Sequence, residues 1–479
     1  MSDDLFDTIV SLSKQRGFIV QSSEIYGGLS ATYDYGPMGV ELKRNVKDLW
    51  WQSMVYQNDD IVGLDAAIMM HPETWEASGH TEAFNDPMID DKASGHRYRA
   101  DALIEGYVQD LKAEGEEARA EAVRERLVEA LNAGEEMNDR LHEIIMDEEI
   151  PAPESGAVDW TDVRQFNLMF ETEMGPVEGQ TVYLRPETAQ GIFVNFHNAR
   201  EPARQHVPFG VAQIGKAFRN EIVARQFVFR MREFEQMEMQ YFVKPGTELE
   251  WFEKWKERRM RWHEALGVDA SRLRFREHEQ LSHYANAAVD IQYRFPIGWK
   301  ELEGIHSRTD HDLRRHEERS GKKMSYYDPW EEKRYTPYVV ETSTGLDRTL
   351  FMLLCEAYYE EEVKGEPRSV LGFHPEVAPI RAAVFPLMDK EGLPQIAKGI
   401  EEDLSRHFNV LYDERGSMGK RYRRQDEAGT PFCITVDFET LEDQQVTVRN
   451  RDTMEQDRIA IDQVASYIFD HSRNWAREG

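Results

Sequence analysis

The sequence predicts a multidomain α+β protein: an antiparallel sheet flanked by helices, interrupted by an acidic helical insertion and followed by a smaller α/β domain. Three observations carry this prediction. The 479 residues suggest about three domains at roughly 150 residues each. The centre of the chain holds two long alternating runs, the second being EFEQMEMQYFV (233–243), as half-buried neighbouring strands do. Beyond residue 375 the pattern becomes short strands separated by helical runs, the signature of a separate α/β unit.

Each element can be justified in order. Residues 37–57 place Val40, Val46, Leu49, Trp50 and Met54 at helical spacing, with Pro37 suited to a first turn. Asp65 to Met70 reads as a strand stopped at Pro72. Glu105 to Glu154 holds sixteen acids and five bases and reads as helices of an acidic insertion over about 88–160. PAPESG (151–156) reads as its exit linker.

In the central pair, Val211, Gln213, Gly215, Ala217 and Arg219 share one face of the first strand. Phe234, Gln236, Glu238 and Gln240 share one face of the second. A buried Gln-x-Glu-x-Gln face needs polar partners, so it reads either as a binding surface or as a solvated one. Residues 337–360 read as a strand, a turn and a helix whose buried stripe is Leu350, Phe351, Leu353, Leu354, Ala357 and Tyr358. Arg348 falls at that helix start, unfavourable against the helix dipole unless an anion lies nearby. After GFHPEVAP (372–379) come strands in RAAVFPL, NVLYDE, PFCITVDF and QQVTVRN, with helical runs at 392–406 and 455–477.

Composition excludes several classes. A 40% hydrophobic and 11% aromatic content is incompatible with a disordered polyelectrolyte. No apolar stretch approaches the ~18–20 residues that span a bilayer, and the first thirty residues lack a secretory pattern, so a cytoplasmic protein is expected. Two cysteines, Cys355 and Cys433, cannot build a disulfide framework or a four-cysteine zinc site. His311 and His316 are five apart, not the four of a helical zinc pair. KKMS (322–325) is too short to carry a function by itself. Neither a GxxxxGK[S/T] nor a GxGxxG phosphate loop is present. The net charge of −31 argues against nucleic acid only weakly, because binding follows the local field. Arg415, Lys420, Arg421, Arg423 and Arg424 form a basic run without an acid; it reads as a solvated helix face or an RNA-facing surface.

The ordered motifs carry a resemblance. FRNE (218–221) with FVFRMREFEQMEMQYF (227–242) resembles motif 2 (about 211–242) of class II aminoacyl-tRNA synthetases. ETSTGLDR (341–348) resembles motif 3 (about 337–360), and the 37–72 helix–strand–proline resembles the dimer-forming motif 1. SSEIYGG, YDYGPMGVELK, DAAIMMHPETWEASGH, RPETAQGIFVNF and the long GSMGKRYRRQDEAGTPF segment together resemble the homodimeric glycyl-tRNA synthetases. The resemblance implies a catalytic domain over 1–375 and an anticodon-binding domain over 376–479. It also implies ATP and Mg²⁺ as substrate and cofactor, and glycine and tRNA(Gly) as partners.

Activation brings a carboxylate onto the α-phosphate of ATP, so cations must neutralise developing charge. The resemblance gives that role to Arg219 and Arg348, with Arg308 (in GIHSRTDHD) as a third clamp. It places ATP among Arg219, Asn220 and Glu221, the run Phe229, Arg230, Met231, Arg232, Glu233 and Phe234, then Glu301, Leu302, Gly345, Leu346, Asp347 and Arg348. Phe234 would stack on adenine, and Glu301 and Glu341 offer hard oxygens for Mg²⁺. Glycine presents only an ammonium and a carboxylate. The expected set is Arg99, Glu171, Glu187, Phe234, Glu235, Gln236, Met237, Glu238, Glu341, Thr342, Ser343, Thr344 and Gly345, with alanine rejected sterically, since one methylene is worth only ~1–3 kcal/mol. The five basic residues at 415–424 are the expected tRNA surface. Relatives often carry paired cysteines before the RYRAD string; DDKASGH (90–96) has none, so no zinc site is expected. The rival reading is a non-catalytic nucleic-acid-binding accessory protein of the same fold, which would have lost the arginine and carboxylate set retained here.

Overall fold

The computed structural model describes residues 2–175, 179–222, 226–278, 281, 285–363 and 365–475. At its centre lies a seven-stranded sheet built from β1 (Ile61–Gly63), β2 (Phe209–Phe218), β3 (Glu233–Val243), β4 (Leu273–Glu277), β5 (Ala287–Phe295), β6 (Gly298–Thr309) and β7 (Tyr338–Gly345). The spatial order is β4-β5-β6-β7-β3-β2-β1. Every pairing is antiparallel except β1 on β2.

The two alternating runs pair so that Gln213 lies opposite Glu238 and Gly215 opposite Gln236. A one-residue slip would turn the whole polar set to the other face. Continuing across the sheet, Glu238 meets Ser343, Ser343 meets Gly304, and Gly304 meets Asp290. One row therefore runs Gln213, Glu238, Ser343, Gly304, Asp290 over five strands. The adjacent row holds Gln240, Glu341 and His306.

The opposite face carries Met237, Met239, Tyr241 and Val243, all buried. Helices Pro37–Trp51, Glu248–Ala265 and Leu346–Ala357 contribute Trp50, Trp255, Trp262, Leu350, Phe351 and Leu354 to the same core. Pro37 occupies the first turn as expected, but the buried stripe differs. Leu42, Lys43, Val46 and Trp50 face inward, and Val40 is exposed. Of the strand expected over 65–70, Met69–Met70 forms, paired with Leu184 and Tyr183 outside the central sheet. The sheet partner is Ile61–Gly63, while Pro72 opens a helix (Pro72–Ser78) whose Glu73 N–H is capped by His71 Nδ1.

The acidic insertion has its own core. Strands Asn85–Asp90, Arg97–Arg99 and Arg164–Asn167 form a small sheet. Helices Ala100–Ala113, Glu117–Leu131 and Met137–Asp147 pack through Ile104, Val108, Val123, Leu127, Leu141 and Ile144. Residues 151–156 form an exposed turn in which Ala152 alone is buried, closed by Gly156 N–H on Ala152 O at 2.9 Å; beside it Trp160 donates its indole N–H to Ile150 O at 2.9 Å.

The C-terminal unit is a five-stranded sheet of β8 (Ala382–Pro386), β9 (Val410–Tyr412), β10 (Phe432–Val436), β11 (Gln445–Asn450) and β12 (Gln456–Ala460), in order β9-β8-β10-β11-β12. The helical reading of 455–477 gives way to β12 followed by helix Val464–Arg473, because Gln456–Ala460 completes the edge beside β11. The hairpin Tyr358–Leu371 anchors this unit through Arg368, which donates to Asp426 Oδ2 at 2.8 Å and to Arg451 O at 2.6 Å. No helix among the described residues is long and apolar enough to cross a membrane.

Candidate active site

Arg219 and Arg348 converge on one pocket from different elements. Arg219 follows β2, and its Nε donates to Pro186 O at 3.1 Å. Its guanidinium lies 5.3 Å from the ring centres of both Phe84 and Phe234, which holds the fork in place without using its terminal nitrogens. Burial lowers this guanidinium's pKa from the ordinary arginine value, against the nearby charges of Glu187 and Glu221. Arg348 sits in the first turn of the 346–357 helix. It donates through Nε to Phe229 O at 3.1 Å and packs over the Phe229 ring at 4.6 Å. Glu301 Oε1 lies 3.2 Å from its Nη1, and Arg348 holds that carboxyl below the usual carboxylate range. Glu221, Arg230, Met231, Gln236, Ser343, Gly345 and Asp347 complete the walls.

Deeper along the polar rows lies a carboxylate cluster. Glu238 accepts from Thr188 Oγ1 at 2.5 Å and from Gln240 Nε2 at 2.6 Å. Gln240 also donates to Glu341 Oε2 at 2.6 Å. Glu341 receives Arg308 Nη1 at 3.0 Å and pairs with His306 Nδ1 at 2.9 Å. Glu187 accepts from Gln190 Nε2 at 3.0 Å and lies 3.5 Å from His80. Gln236 accepts from Thr188 N–H at 3.2 Å.

The carboxyls separate in pKa. Burial, reinforced by the charges of Glu341 and Glu187, pushes Glu238 well above its ordinary value. Burial would raise Glu341 too, but Arg308 and His306 outweigh it and hold Glu341 down. Glu187 is held low in the same way, chiefly by His80. Like charges in one low-dielectric site disfavour one another's ionisation, and Glu238 is the carboxyl whose charged form is disfavoured most.

Strand alternation sorts the residues expected as continuous runs. Gln236, Glu238, Glu341, Ser343 and Gly345 face the site, and Met237, Thr342 and Thr344 face the core. Thr344 Oγ1 donates to Leu302 O at 3.1 Å, and Leu302 and Leu346 are themselves buried. These five can serve a ligand only as backbone or packing. Glu235 turns instead to Lys43 and Lys47, at 2.6 and 3.2 Å. Asp347, though at the pocket wall, accepts from Glu235 N–H at 2.7 Å and from Lys43 at 3.1 Å. Arg232 donates to Glu221 O and Ser30 O, and Glu233 pairs with Lys216, so both leave the pocket. Asn220 stays at its edge, its N–H bonded to Leu168 O at 2.8 Å.

Further corrections concern charge. Arg308 does not join the two pocket arginines: it is buried, bidentate on Asp312 at 2.9 and 3.0 Å, and bound to Glu341. Glu341 cannot pair with Glu301 around one Mg²⁺. It lies opposite His306, five residues along β6 from Glu301, and its oxygens are already engaged. Glu171 is exposed on a strand opposite Tyr183 and makes no contact with the cluster among the described residues. Arg99 is bidentate on Asp101 and 3.4 Å from Asp86; its pKa is raised, with burial opposed by Asp101, Asp86 and Glu221. In the basic run, Arg421 is buried and donates to Pro386 O, Glu414 O and Gly416 O. It holds a loop and leaves Arg415, Lys420, Arg423 and Arg424 at the surface.

The sequence reading missed Thr188, Gln190, Gln213, His306, Asp312 and Lys43. Gln213, which donates to Thr188 O at 3.0 Å and accepts from Ala66 N–H at 2.6 Å, was signalled by its place on the odd-numbered face. Of the others, His306 required the strand register, and Thr188, Gln190, Asp312 and Lys43 are supplied by helices or a helix cap.

With this geometry in place, comparison with known proteins is direct. Residues 170–357 match the tRNA synthetase class II core domain (G, H, P, S and T). Residues 86–125 and 114–168 match the glycyl-tRNA synthetase insertion domain 1, and 381–471 match the anticodon binding domain. The glycine–tRNA ligase of Chlorobaculum tepidum is 57% identical over 463 residues, covering 96% of this chain and 98% of that protein. The enzyme of the same name from Staphylococcus haemolyticus is 53% identical over 96% of this chain and 98% of its own length. That of Staphylococcus aureus strain JH9 is 51% identical over 99% and 100%. At such identity over nearly the whole length of both partners, the chain belongs to the glycine–tRNA ligase family.

Proposed function

We propose that this chain joins glycine to ATP, forming glycyl-adenylate and pyrophosphate, and then transfers glycine to the 3′ end of tRNA(Gly). The observation that carries the reading is the placement of Arg219 and Arg348 at one end of a polar strand face whose other end is the Glu238–Glu341–Glu187 cluster. Cationic forks suit the phosphates, and the acids suit an ammonium.

In this reading Arg219 stabilises charge on the α-phosphate, and Arg348 binds the terminal phosphates. Phe234 offers its free face to adenine. Glu238 gives up its proton as the glycine ammonium enters, so the site gains an anion only when a cation is present. Arg308 is a positioning residue that keeps Glu341 ionised. Glu301, half-exposed at the pocket, fits a Mg²⁺ ligand; the ion would offset phosphate charge there. No side chain is assigned as nucleophile, because the attacking hydroxyl belongs to the tRNA.

The division into a catalytic domain (1–375), an insertion (88–160) and an anticodon-binding domain (376–479) is supported by family matches that end at 357 and resume at 381. Exposed Ile25, Tyr26, Val40 and Tyr56, on and beside the 37–51 helix, support a homodimer. A cytoplasmic setting accords with the substrates. Pyrophosphate exchange with glycine, alanine, serine and no amino acid tests the reading. Exchange with glycine alone supports it, and silence from folded protein with every amino acid refutes it.

A further inference from the structure

The polar row does not end at the glycine pocket. Across Gly304 it reaches Asp290 on β5, and there His278 and His306 join it. One ligand atom from each of these three residues lies within 4.8 Å of the other two. His278 Nε2 is already 2.8 Å from Asp290 Oδ1. These residues are separated by twelve and sixteen positions in the sequence, so no local motif announces them; the pairing of β4, which His278 follows, with β5, and of β5 with β6, brings them together.

We propose that His278, Asp290 and His306 bind one divalent transition-metal ion of the zinc class, one strand beyond the glycine pocket. The donor set decides the class: two imidazoles and a carboxylate suit Zn²⁺ or Co²⁺, whereas Mg²⁺ takes oxygens. The orientation of His306 agrees. Its Nδ1 is bonded to Glu341 Oε1 at 2.9 Å, which leaves Nε2 to face the cluster. A carboxylate behind a ligating imidazole is the usual arrangement that fixes the ring and raises its basicity. Gly304 keeps the space open: a Cβ there would stand 3.3 Å from His306 Nε2 and 3.9 Å from Asp290 Oδ1. His278 is exposed, so its side chain is free of close packing that would oppose the adjustment to the ~2.1 Å bond Zn²⁺ requires.

The ion would occupy a position that matters to the reaction. Through His306 it would restrain Glu341, a clause that rests on the ligase reading; the binding itself does not. Metal binding therefore makes the better readout. The full chain, stripped with a chelator, is titrated with Co²⁺ and then with Zn²⁺. Expected are one ion per chain, visible d–d absorption, and its loss as Zn²⁺ displaces cobalt. His278→Ala and Asp290→Asn should each weaken Co²⁺ more than about tenfold. His278→Cys should retain binding and add a thiolate-to-cobalt charge-transfer band, a signature that stands even if the alanine variant misfolds. No binding by the wild type, binding unchanged in both single variants, or a cysteine variant without the band overturns the proposal. Pyrophosphate exchange plays no part in the titration, so a failed site leaves the ligase reading standing, and a failed exchange assay leaves the site standing.

Discussion

Replacing Arg219 by Ala should nearly abolish amino-acid activation while leaving the protein folded. The substitution removes one hydrogen bond to Pro186 O and two ring interactions, with Phe84 and Phe234. At about 1 kcal/mol for the bond and ~0.5–1 for each ring, these sum to roughly 2–3 kcal/mol. Burial already disfavours this cation, which offsets part of that sum, so the loss stays within the range of ordinary single-site effects. The chemical step should suffer more. Deleting one preorganised group facing developing charge costs about 3–4 kcal/mol, or 10²–10³-fold in rate. The assay is ATP–pyrophosphate exchange with saturating glycine, beside a melting curve of the same preparation. Arg219→Lys should recover only part of the rate, because an ammonium cannot replace the two-pronged fork. A folded Arg219→Ala chain keeping more than about a tenth of wild-type exchange, far above the loss expected of such a group, would refute the assignment.

Three further outcomes concern the buried charges. Because burial and the charges of Glu341 and Glu187 raise the Glu238 pKa, kcat/KM for glycine should fall as pH drops through that raised pKa; Glu341→Gln, which removes one of those charges, should move that transition to lower pH in a pH–rate series. Beneath the sheet, Glu303 accepts from Arg259 at 2.6 Å and His263 at 2.7 Å, all three buried, so Glu303→Ala should cost about 3–5 kcal/mol by stranding the arginine, read as a lower urea midpoint. In the basic run, Arg421→Ala should lower the melting temperature by removing a buried donor to three carbonyls, whereas Lys420→Ala should leave melting unchanged and reduce the salt dependence of tRNA binding.

Strand period explains which parts of this molecule were legible in its sequence. A two-residue alternation is local information, so the polar faces of β2 and β3 were readable, and the register then joined Gln213 to Glu238. The helix start at Arg348 was readable for a similar reason, since a cation against the dipole is a local anomaly. Residues supplied from outside the strands were not. Thr188 and Gln190 reach the cluster from a short helix and its cap, and Asp312 reaches Arg308 from the next helix. Arg308 and Arg421 were misread because a sequence displays charge without burial: both are arginines sunk among acceptors. Val40 failed differently. Its spacing is helical, yet the stripe facing the core is rotated to Leu42 and Val46, a choice made by the sheet below.

Recognising the smallest amino acid with so many carboxylates becomes intelligible once their couplings are followed. A pocket lined by free acids would be soft: repelling groups would turn to water, and the space beside the substrate would accommodate a methyl. Here each acid is tethered. Glu238 is held by Thr188 and Gln240, Gln240 also by Glu341, and Glu341 by Arg308 and His306. Arg308 is fixed in turn by Asp312, which also receives Gln190. Moving any wall residue outward to admit a side chain breaks at least one buried bond, and leaving a buried donor or acceptor unmet costs ~1–3 kcal/mol. Because the tethers are shared, that cost spreads to neighbours and exceeds the value of the extra methyl contact. In the proposed reading, selectivity against alanine comes from the stiffness of this cross-linked polar wall, and the raised pKa of Glu238 lets the wall stay packed when no ammonium is bound.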